Sequence, residues 1–296
     1  MIDTQKMYFC NKKTDFFYLM VRYICCFFVL SFFSALRGTA QDIDPHDANL
    51  VASKLALVDG PLNLSARTLA VAQSFLGAPY VSGTLDGNTT EQLVVNLREL
   101  DCWTLVEGSL AIALASKEKQ PCLTAYEQYL RQLRYWGGTI NGYGSRIHYF
   151  TGWTLQAEKL GYLNDITAQL GGISYNKQIG YMSARPHKYP ALQQEKNRKD
   201  IQDAEARINR HKWYYIPENR IETVEKHLLE GDIILLTSVK SDLDIAHQGF
   251  AVLRNGRIHL LHASSLSKRV IVSSQPLGAY VRSQPGQSGI MVLRVN

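Results

Sequence analysis

The sequence predicts an α+β domain in which helices come first along the chain and an antiparallel sheet follows. Between residues 50 and 133, apolar side chains recur at the spacing of amphipathic helices. From Ile233 onward the pattern changes to short runs rich in Val, Ile and Leu. Two of these runs are joined by Asn255-Gly256, the strongest short signal for a β-hairpin. Helices followed by strands are typical of the α+β class.

The composition is that of an ordinary globular protein and argues against several kinds of partner. Of 296 residues, 46% are hydrophobic and 20% are charged. The net charge of +6 is spread along the chain, so the sequence shows no basic footprint for a nucleic acid. It contains no His-Glu-x-x-His pattern and no closely spaced pair of cysteine ligands in the region after residue 40. We therefore expect no metal ion and no other cofactor.

The first forty residues predict a signal peptide. Arg22 precedes an almost purely apolar run from Tyr23 to Leu36, and Gly-Thr-Ala at 38–40 offers small residues to a signal peptidase. The apolar run is short for a membrane span, although a single anchor is the alternative interpretation. We expect residues 1–40 to be removed and residues 41–296 to form one domain in the periplasm or cell envelope, with no stable membrane span.

Four helices are predicted before the sheet, at residues 50–58, 65–76, 102–115 and 126–133. Ser65 caps the second helix. Asp101 is the expected N-cap of the third, which begins at Cys102 and carries its apolar residues on one stripe. After the fourth helix a long insertion is expected around residues 137–230. It opens with a glycine-rich loop and contains a highly charged stretch at 190–212 that is predicted to be a surface helix.

Five strands are predicted, at residues 233–237, 248–254, 257–262, 269–272 and 290–295. If the hairpin turn has two residues, His247 lies opposite Ser264, and His262 is its diagonal neighbour on the same face. His259 then pairs with Val252 and points to the other face. A three-residue turn would reverse the choice between the two histidines. The expected register therefore favours His262 as the side chain that orients His247.

Cys102 is the candidate nucleophile. The N-terminus of a helix favours a thiolate, and its free backbone N–H groups can also stabilise an oxyanion. Once the leader is removed, Cys102 and Cys122 remain, and a disulfide between them is the alternative. We expect both thiols to be free and the pKa of Cys102 to lie below the ordinary ~8.5. His247 is the candidate base and His262 its orienting partner, which completes a Cys-His-His arrangement.

Four short motifs, in their order along the chain, resemble those of the NlpC-type papain-like cell-wall hydrolases. They are Gly77-Ala-Pro-Tyr80-Val, Asp101-Cys102, His247-Gln-Gly-Phe-Ala-Val and His262-Ala-Ser264. The chain departs from the commonest pattern, because Trp103-Thr104 follows the cysteine and about 145 residues separate Cys102 from His247.

These departures resemble one branch of that superfamily, the N-acetylmuramoyl-L-alanine amidase-like proteins. The matching motifs are Asp101-Cys102-x-Thr104-x-x-Glu107, Arg146-Ile-His148-Tyr149-Phe150 with Trp153, Tyr181-Met182-Ser183 and Gly231-Asp232-Ile233-Ile234. The resemblance implies a papain-like fold, with the nucleophile helix packed on an antiparallel sheet or barrel, and no metal. It also implies hydrolysis of the amide between N-acetylmuramic acid and L-alanine, in peptidoglycan or in muropeptide fragments.

Four further residues are candidates for substrate binding. The resemblance places the hydroxyl of Tyr80 beside the nucleophile. Arg146, His148 and Tyr149 follow the glycine-rich loop, where the arginine could hold a peptide carboxylate with two hydrogen bonds. A structural role is the alternative for all four. Two other functions stay open: cleavage of γ-D-glutamyl–diamino-acid bonds, which is common in the superfamily, and peptidoglycan binding without catalysis.

Overall fold

Helices cover a single sheet, and the strands of that sheet come from distant parts of the sequence. The structure, a computed structural model, describes residues 43–296. The predicted signal peptide, residues 1–40, lies outside the described residues. Within residues 43–296, no helix combines the length and the apolar character needed to cross a membrane.

Eight α-helices are present among residues 43–296. They are α1 Pro45–Leu57, α2 Leu64–Gln73, α3 Cys102–Ala115, α4 Leu123–Arg134, α5 Phe150–Lys159, α6 Glu195–Asn209, α7 Ile221–Val224 and α8 Leu277–Arg282. The first four correspond to the four predicted helices, and α3 has the predicted bounds of 102–115. Helix α6 lies inside the charged stretch that was expected to be helical.

Eight strands form one antiparallel sheet. They are β1 Leu163–Asp165, β2 Ile173–Ser174, β3 Tyr214–Pro217, β4 Ile233–Ser238, β5 Ile245–Arg254, β6 Arg257–Ser264, β7 Arg269–Val272 and β8 Gln287–Val295. Their order in the sheet is β2-β3-β8-β4-β5-β6-β7, and β1 also pairs with β8. Strands β1 to β3 belong to the expected insertion and were not predicted. The insertion therefore contributes strands to the same sheet that carries His247.

The hairpin of β5 and β6 has the predicted two-residue turn. Asn255 and Gly256 have φ values of 52° and 74°, the left-handed values that a tight hairpin turn of this kind needs at both central positions. Val252 is paired with His259 in the ladder. The register inferred from the sequence is confirmed.

The sheet has an apolar core on each face, because successive side chains of a strand point to opposite sides. Phe250 and Leu261 pack with helix α3 and the other N-terminal helices in the larger core. Ala251 and Leu260 pack on the opposite face with residues of α7 and α8. The expected mixture of helices and an antiparallel sheet is present.

Candidate active site

Asp101 sets the position of Cys102 at the start of α3. The Asp101 carboxylate accepts a hydrogen bond from the backbone N–H of Thr104 at 2.8 Å, and the Thr104 hydroxyl accepts one from the N–H of Asp101 at 2.9 Å. This reciprocal arrangement is a capping box. It begins the helix at Cys102, so the thiol sits where free backbone N–H groups are concentrated.

Strand β5 holds the same end of the helix. Gln248 is buried, and its side-chain Nε2 donates to the carbonyl oxygen of Cys102 at 2.9 Å. The backbone groups of Gln248, Cys102 and Trp103 also act on the sulfur and lower the pKa of the thiol. Since Gln248 follows His247 in the sequence, the candidate nucleophile and the candidate base are brought to one end of the sheet.

The protonation of Cys102 differs from the prediction. Burial raises the pKa of its thiol to about 12, and the negative charge of Asp101 acts in the same direction. The backbone donors lower the pKa but do not compensate for these two effects. The expected pKa below ~8.5 is wrong for the free protein, because a helix N-terminus stabilises a thiolate less than burial and an adjacent carboxylate destabilise it.

Cys102 carries a free thiol, whereas Cys122 is disulfide-bonded. The two cysteines do not pair with each other, as expected. Cys122 is thus not a free thiol in the full-length chain. For the mature protein, whose only cysteines after removal of residues 1–40 are Cys102 and Cys122, the expected pair of free thiols stays a prediction.

The two histidines chosen from the hairpin register are in contact. His247 Nε2 lies 2.7 Å from His262 Nδ1, so one proton is shared along this line. Gly249 permits this approach, because a Cβ there would overlap the carbonyl oxygen of Leu261 and lie 2.9 Å from the Cβ of His262. His259 is not part of the pair, and its Nδ1 lies 2.8 Å from the carbonyl oxygen of Ser273.

Both imidazoles of the pair are held neutral by their surroundings. Burial lowers the pKa of His247 to about 4. Burial also lowers the pKa of His262 to about 3, with a smaller contribution from His247. The Nε2 atom of His262 is buried and has no hydrogen-bond partner within residues 43–296. At neutral pH the pair is therefore uncharged, and His247 is free to accept a proton.

Two tyrosines lie close enough to Cys102 to interact with it electrostatically. Burial is the largest cause that raises the pKa of Tyr80, followed by the charges of Cys102 and Asp101. Burial, with a contribution from Cys102, raises the pKa of Tyr280 to about 12. The ring of Tyr280 also lies 5.2 Å from that of His262. Tyr80 was predicted from its motif, but Tyr280 was missed, since no motif marks the short helix α8.

An aromatic pair connects Cys102 to helix α5. The ring centroids of Trp103 and Phe150 are 4.4 Å apart. The buried carboxylate of Asp244 fixes the start of α5, because it accepts hydrogen bonds from the backbone N–H and the hydroxyl of Thr151 at 2.9 and 2.8 Å. Asp244 itself precedes β5. Helix α5 of the insertion is thereby hydrogen-bonded to the residue that precedes the His247 strand, next to the nucleophile.

Arg146 has ion-pair partners from the chain itself. Its guanidinium is buried and lies 2.5 Å from the Asp86 carboxylate and 3.2 Å from that of Glu91. A guanidinium occupied in this way is poorly placed to bind a substrate carboxylate with two hydrogen bonds. The geometry favours a structural role over the predicted one.

His148 and Tyr149 are likewise engaged within the protein. His148 Nε2 lies 3.0 Å from the carbonyl oxygen of Tyr143, and burial lowers the pKa of the imidazole to about 3. The buried Tyr149 hydroxyl donates to Glu205 at 2.6 Å and accepts from the backbone N–H of Met182 at 2.8 Å. These contacts make both side chains part of the scaffold around Phe150 rather than an open binding surface.

The described residues offer no cluster of metal ligands. Within residues 43–296, no three or more His, Cys, Asp and Glu side chains are grouped so that they could hold a metal ion.

The sequence matches one protein family over most of its length. The family described as N-acetylmuramoyl-L-alanine amidase-like matches residues 70–290. No curated protein matches the chain.

Several solved structures are similar to this one. A crystal structure of an N-acetylmuramoyl-L-alanine amidase from Bacteroides uniformis is 32% identical, with a TM-score of 0.74 over 79% of this chain and 99% of that chain. A protein from Bacteroides fragilis, provisionally named a xylanase, is 34% identical, with a TM-score of 0.71 over 76% and 98%. A Legionella pneumophila protein is 22% identical, with a TM-score of 0.64 over 84% and 93%, and supports the fold alone.

Proposed function

The chain belongs to the N-acetylmuramoyl-L-alanine amidase-like family, and we propose that it hydrolyses the amide between N-acetylmuramic acid and L-alanine with Cys102 as nucleophile. One observation carries the proposal of cysteine catalysis. A free cysteine at a helix N-terminus adjoins a strand whose His247 is paired with His262. Nucleophile, base and orienting group then follow the logic of a catalytic triad.

The shared proton of the histidine pair determines which nitrogen acts as the base. When His247 Nε2 donates to His262 Nδ1, the Nδ1 atom of His247 carries no proton and is available to accept one. His262 then keeps its own proton on Nε2. Because both pKa values are lowered by burial, His262 is a neutral acceptor that fixes the tautomer of His247 without taking its proton.

The first half of the reaction forms a thioester. The Cys102 thiol is neutral at rest, so its proton passes to His247 Nδ1 as the sulfur attacks the carbonyl carbon of the lactyl group. The negative charge that develops on the carbonyl oxygen is stabilised by the backbone N–H groups at the start of α3. Collapse of the tetrahedral intermediate breaks the C–N bond, and the amino group of L-alanine leaves with the proton from His247.

The second half regenerates the enzyme. His247 removes a proton from a water molecule, whose oxygen attacks the thioester carbon. The C–S bond breaks, the lactyl carboxylic acid is released, and the Cys102 sulfur recovers a proton from His247. The chemistry needs no redox partner and no metal.

A papain-like relationship and export complete the proposal. The order of Cys102 before His247, and the packing of the nucleophile helix on an antiparallel sheet, support the papain-like assignment. Export is supported by the apolar leader. N-terminal sequencing of the secreted protein is expected to begin Gln41-Asp42-Ile43, and full-length protein retained in membranes would instead indicate an anchor.

Mass spectrometry of products from a defined N-acetylmuramoyl-tripeptide tests the proposed bond. The expected products are N-acetylmuramic acid and the intact tripeptide. Release of the third residue alone would indicate a γ-D-glutamyl–diamino-acid endopeptidase, and no cleavage would indicate a binding module. A thiol reagent should abolish the activity, whereas EDTA should leave it unchanged.

Xylan incubated in parallel tests the activity named for the Bacteroides fragilis relative. Glycoside hydrolysis usually employs two carboxyl groups on opposite sides of the scissile bond. The side chains described near Cys102 are imidazoles and phenols, and the adjoining carboxylate of Asp101 is committed to the helix cap. We expect no release of xylose or its oligomers.

A further inference from the structure

Three cationic side chains surround the ring of Tyr181. The guanidinium carbon of Arg185 lies 4.1 Å from the ring centroid, and the Nζ atoms of Lys240 and Lys188 lie at 5.0 and 5.8 Å. Together these four residues are termed the Tyr181 cluster. They come from two separated segments of the chain, so the concentration of positive charge is produced by folding.

The positive charge of the Tyr181 cluster is only partly neutralised. Arg185 forms an ion pair with Asp242 at 2.5 Å. No ion pair is formed by Lys188 or Lys240 with a carboxylate of residues 43–296. Burial acts to raise the pKa of Tyr181, but the nearby cations Lys188, Lys240 and Arg185 outweigh it and lower the pKa. A phenol in such a field is a stronger hydrogen-bond donor to an anion.

The chain holds the Tyr181 cluster in place. Lys177 Nζ donates to the carbonyl oxygens of Lys240 and Leu243 at 2.6 and 3.2 Å, which fixes the loop between β4 and β5. The backbone N–H of Gly180 donates to the carbonyl oxygen of Asp242 at 3.1 Å. The backbone of both segments is therefore anchored before any ligand arrives, and preorganisation reduces the entropy cost of binding.

The Tyr181 cluster lies at the end of the sheet that carries the candidate site. Asp242, which binds Arg185, is five residues before His247 in the same connection to β5. Met182 follows Tyr181 and is hydrogen-bonded to Tyr149, whose neighbour Phe150 stacks on Trp103 beside Cys102. The Tyr181 cluster and the candidate site are thus both connected to the start of β5.

We propose that Tyr181, Lys188 and Lys240 form a subsite for a carboxylate on the peptide portion of the substrate, and that Arg185, which is paired with Asp242, positions the Tyr181 ring. The inference rests on the proposed function, in which a peptide is the leaving group. Stem peptides of peptidoglycan carry free carboxylates beyond the scissile amide, and exposed lysines beside a phenol are suitable partners for them. Arg146, the residue predicted for this task, is occupied by the chain's own carboxylates.

The test compares two substrates, N-acetylmuramoyl-tripeptide with free carboxylates and the same compound with its carboxylates converted to amides. The wild type should prefer the acid about 10-fold in kcat/KM, which corresponds to about 1.4 kcal/mol. A Lys188→Met, Lys240→Met double variant should lose this preference through a higher KM for the acid, with kcat unchanged. Turnover of the amide should be unaffected.

The matched control is a Lys119→Met, Lys226→Met double variant, which removes the same charge at exposed positions elsewhere. It should retain the wild-type preference. Raising the salt concentration should reduce the preference of the wild type, since exposed charges are screened.

The outcomes separate the two proposals. A wild type that cleaves neither substrate contradicts the proposed function itself. A wild type that cleaves both equally, or a Lys188→Met, Lys240→Met variant that keeps the preference, contradicts the subsite alone. If that variant loses activity equally toward both substrates, the lysines have a structural role and the subsite is also overturned. If the double variant is unstable, the exposed single change Lys188→Met and the salt series decide.

Discussion

Two neighbouring parts of this molecule differ in how far their buried polar side chains are hydrogen-bonded. In the candidate site, His262 Nε2 and Gln248 Oε1 are buried and have no hydrogen-bond partner within residues 43–296. In the adjoining wall, formed by Arg146, His148 and Tyr149, the guanidinium, the imidazole and the phenol each meet a carboxylate or a carbonyl group of the chain. Both parts come from polar residues in recognisable motifs. Among the described residues, the two atoms of the candidate site have no partner of any kind, whereas in the wall only Arg146 Nε lacks a hydrogen bond, and it lies 3.2 Å from the Glu91 carboxylate.

The difference indicates where binding and chemistry take place. A buried polar atom without a partner costs roughly 1–3 kcal/mol, so such atoms are uncommon in folded proteins. Open groups beside a free thiol and a paired imidazole are expected where a substrate or a water supplies the missing partner. The satisfied groups of the wall instead hold Phe150 and the start of α5 against Trp103.

The conclusion that chemistry takes place in the candidate site is wrong if activity does not need Cys102 or His247. Cys102→Ala removes the nucleophile and His247→Ala removes the base, so each alone should reduce kcat by about 10⁴-fold or more. Because the two act as a unit, the double variant should be little worse than either single one. Turnover of N-acetylmuramoyl-tripeptide measures this, and multiplicative losses would contradict a shared mechanism.

Variants of the two histidines of strand β6 test which of them orients His247. His262→Ala should lower kcat by orders of magnitude but leave residual turnover, because an orienting group does not carry the proton. His259→Ala should leave turnover near the wild-type value. It loses only the contact with the Ser273 carbonyl, which should cost roughly 1–3 kcal/mol of unfolding free energy. Each variant is first checked for folding by circular dichroism.

If His259→Ala proves the catalytically impaired variant and His262→Ala does not, the orienting role belongs to His259. The observed contact between His247 and His262 would then have no catalytic meaning.

The Arg146→Met variant tests whether the wall has a structural role. It leaves the buried Glu91 carboxylate without its cation, and breaking a buried ion pair typically costs about 3–5 kcal/mol. Denaturant titration should show this loss of stability, while the folded fraction keeps a KM close to that of the wild type. A large rise in KM with unchanged stability would restore Arg146 as a substrate-binding residue.

The histidine pair should also affect the pH dependence of stability. Burial lowers the pKa of His247 to about 4 from an ordinary value of about 6.5. Between these values the unfolded chain binds more protons than the folded one, so the unfolding free energy should decrease as the pH falls from about 6.5 to about 4. A His247→Ala, His262→Ala variant should show a flatter decrease in melting temperature over this range. Parallel curves would mean that the pair is not buried as a neutral unit.

The parts that sequence reasoning predicted correctly depend on short-range rules. The capping residue Asp101 places the start of α3 at Cys102, and the turn Asn255-Gly256 sets the register that brings His262 to His247. Both signals involve residues close together in the chain, where backbone geometry permits few alternatives.

The parts that were missed depend on partners from distant segments. Strands β1 and β2 have three and two residues, too few to show an alternating pattern. The ion pair of Arg146 with Asp86 spans sixty residues of sequence. Tyr280 meets His262 only because α8 packs on that face of the sheet. The pKa of Cys102 likewise depends on burial, which no local motif reveals.

The position of β8 has a consequence for how the protein is made. This strand is the last in chain order, yet it lies inside the sheet, paired with β1, β3 and β4. Among the described strands, a nascent chain on the ribosome therefore has no partner for β1, and only one of the two partners of β3 and of β4, until residues 287–295 have been synthesised. Long-range pairing of this kind is slow. Premature termination of translation even a few codons before residue 287 should yield a chain that cannot complete the sheet beneath His247.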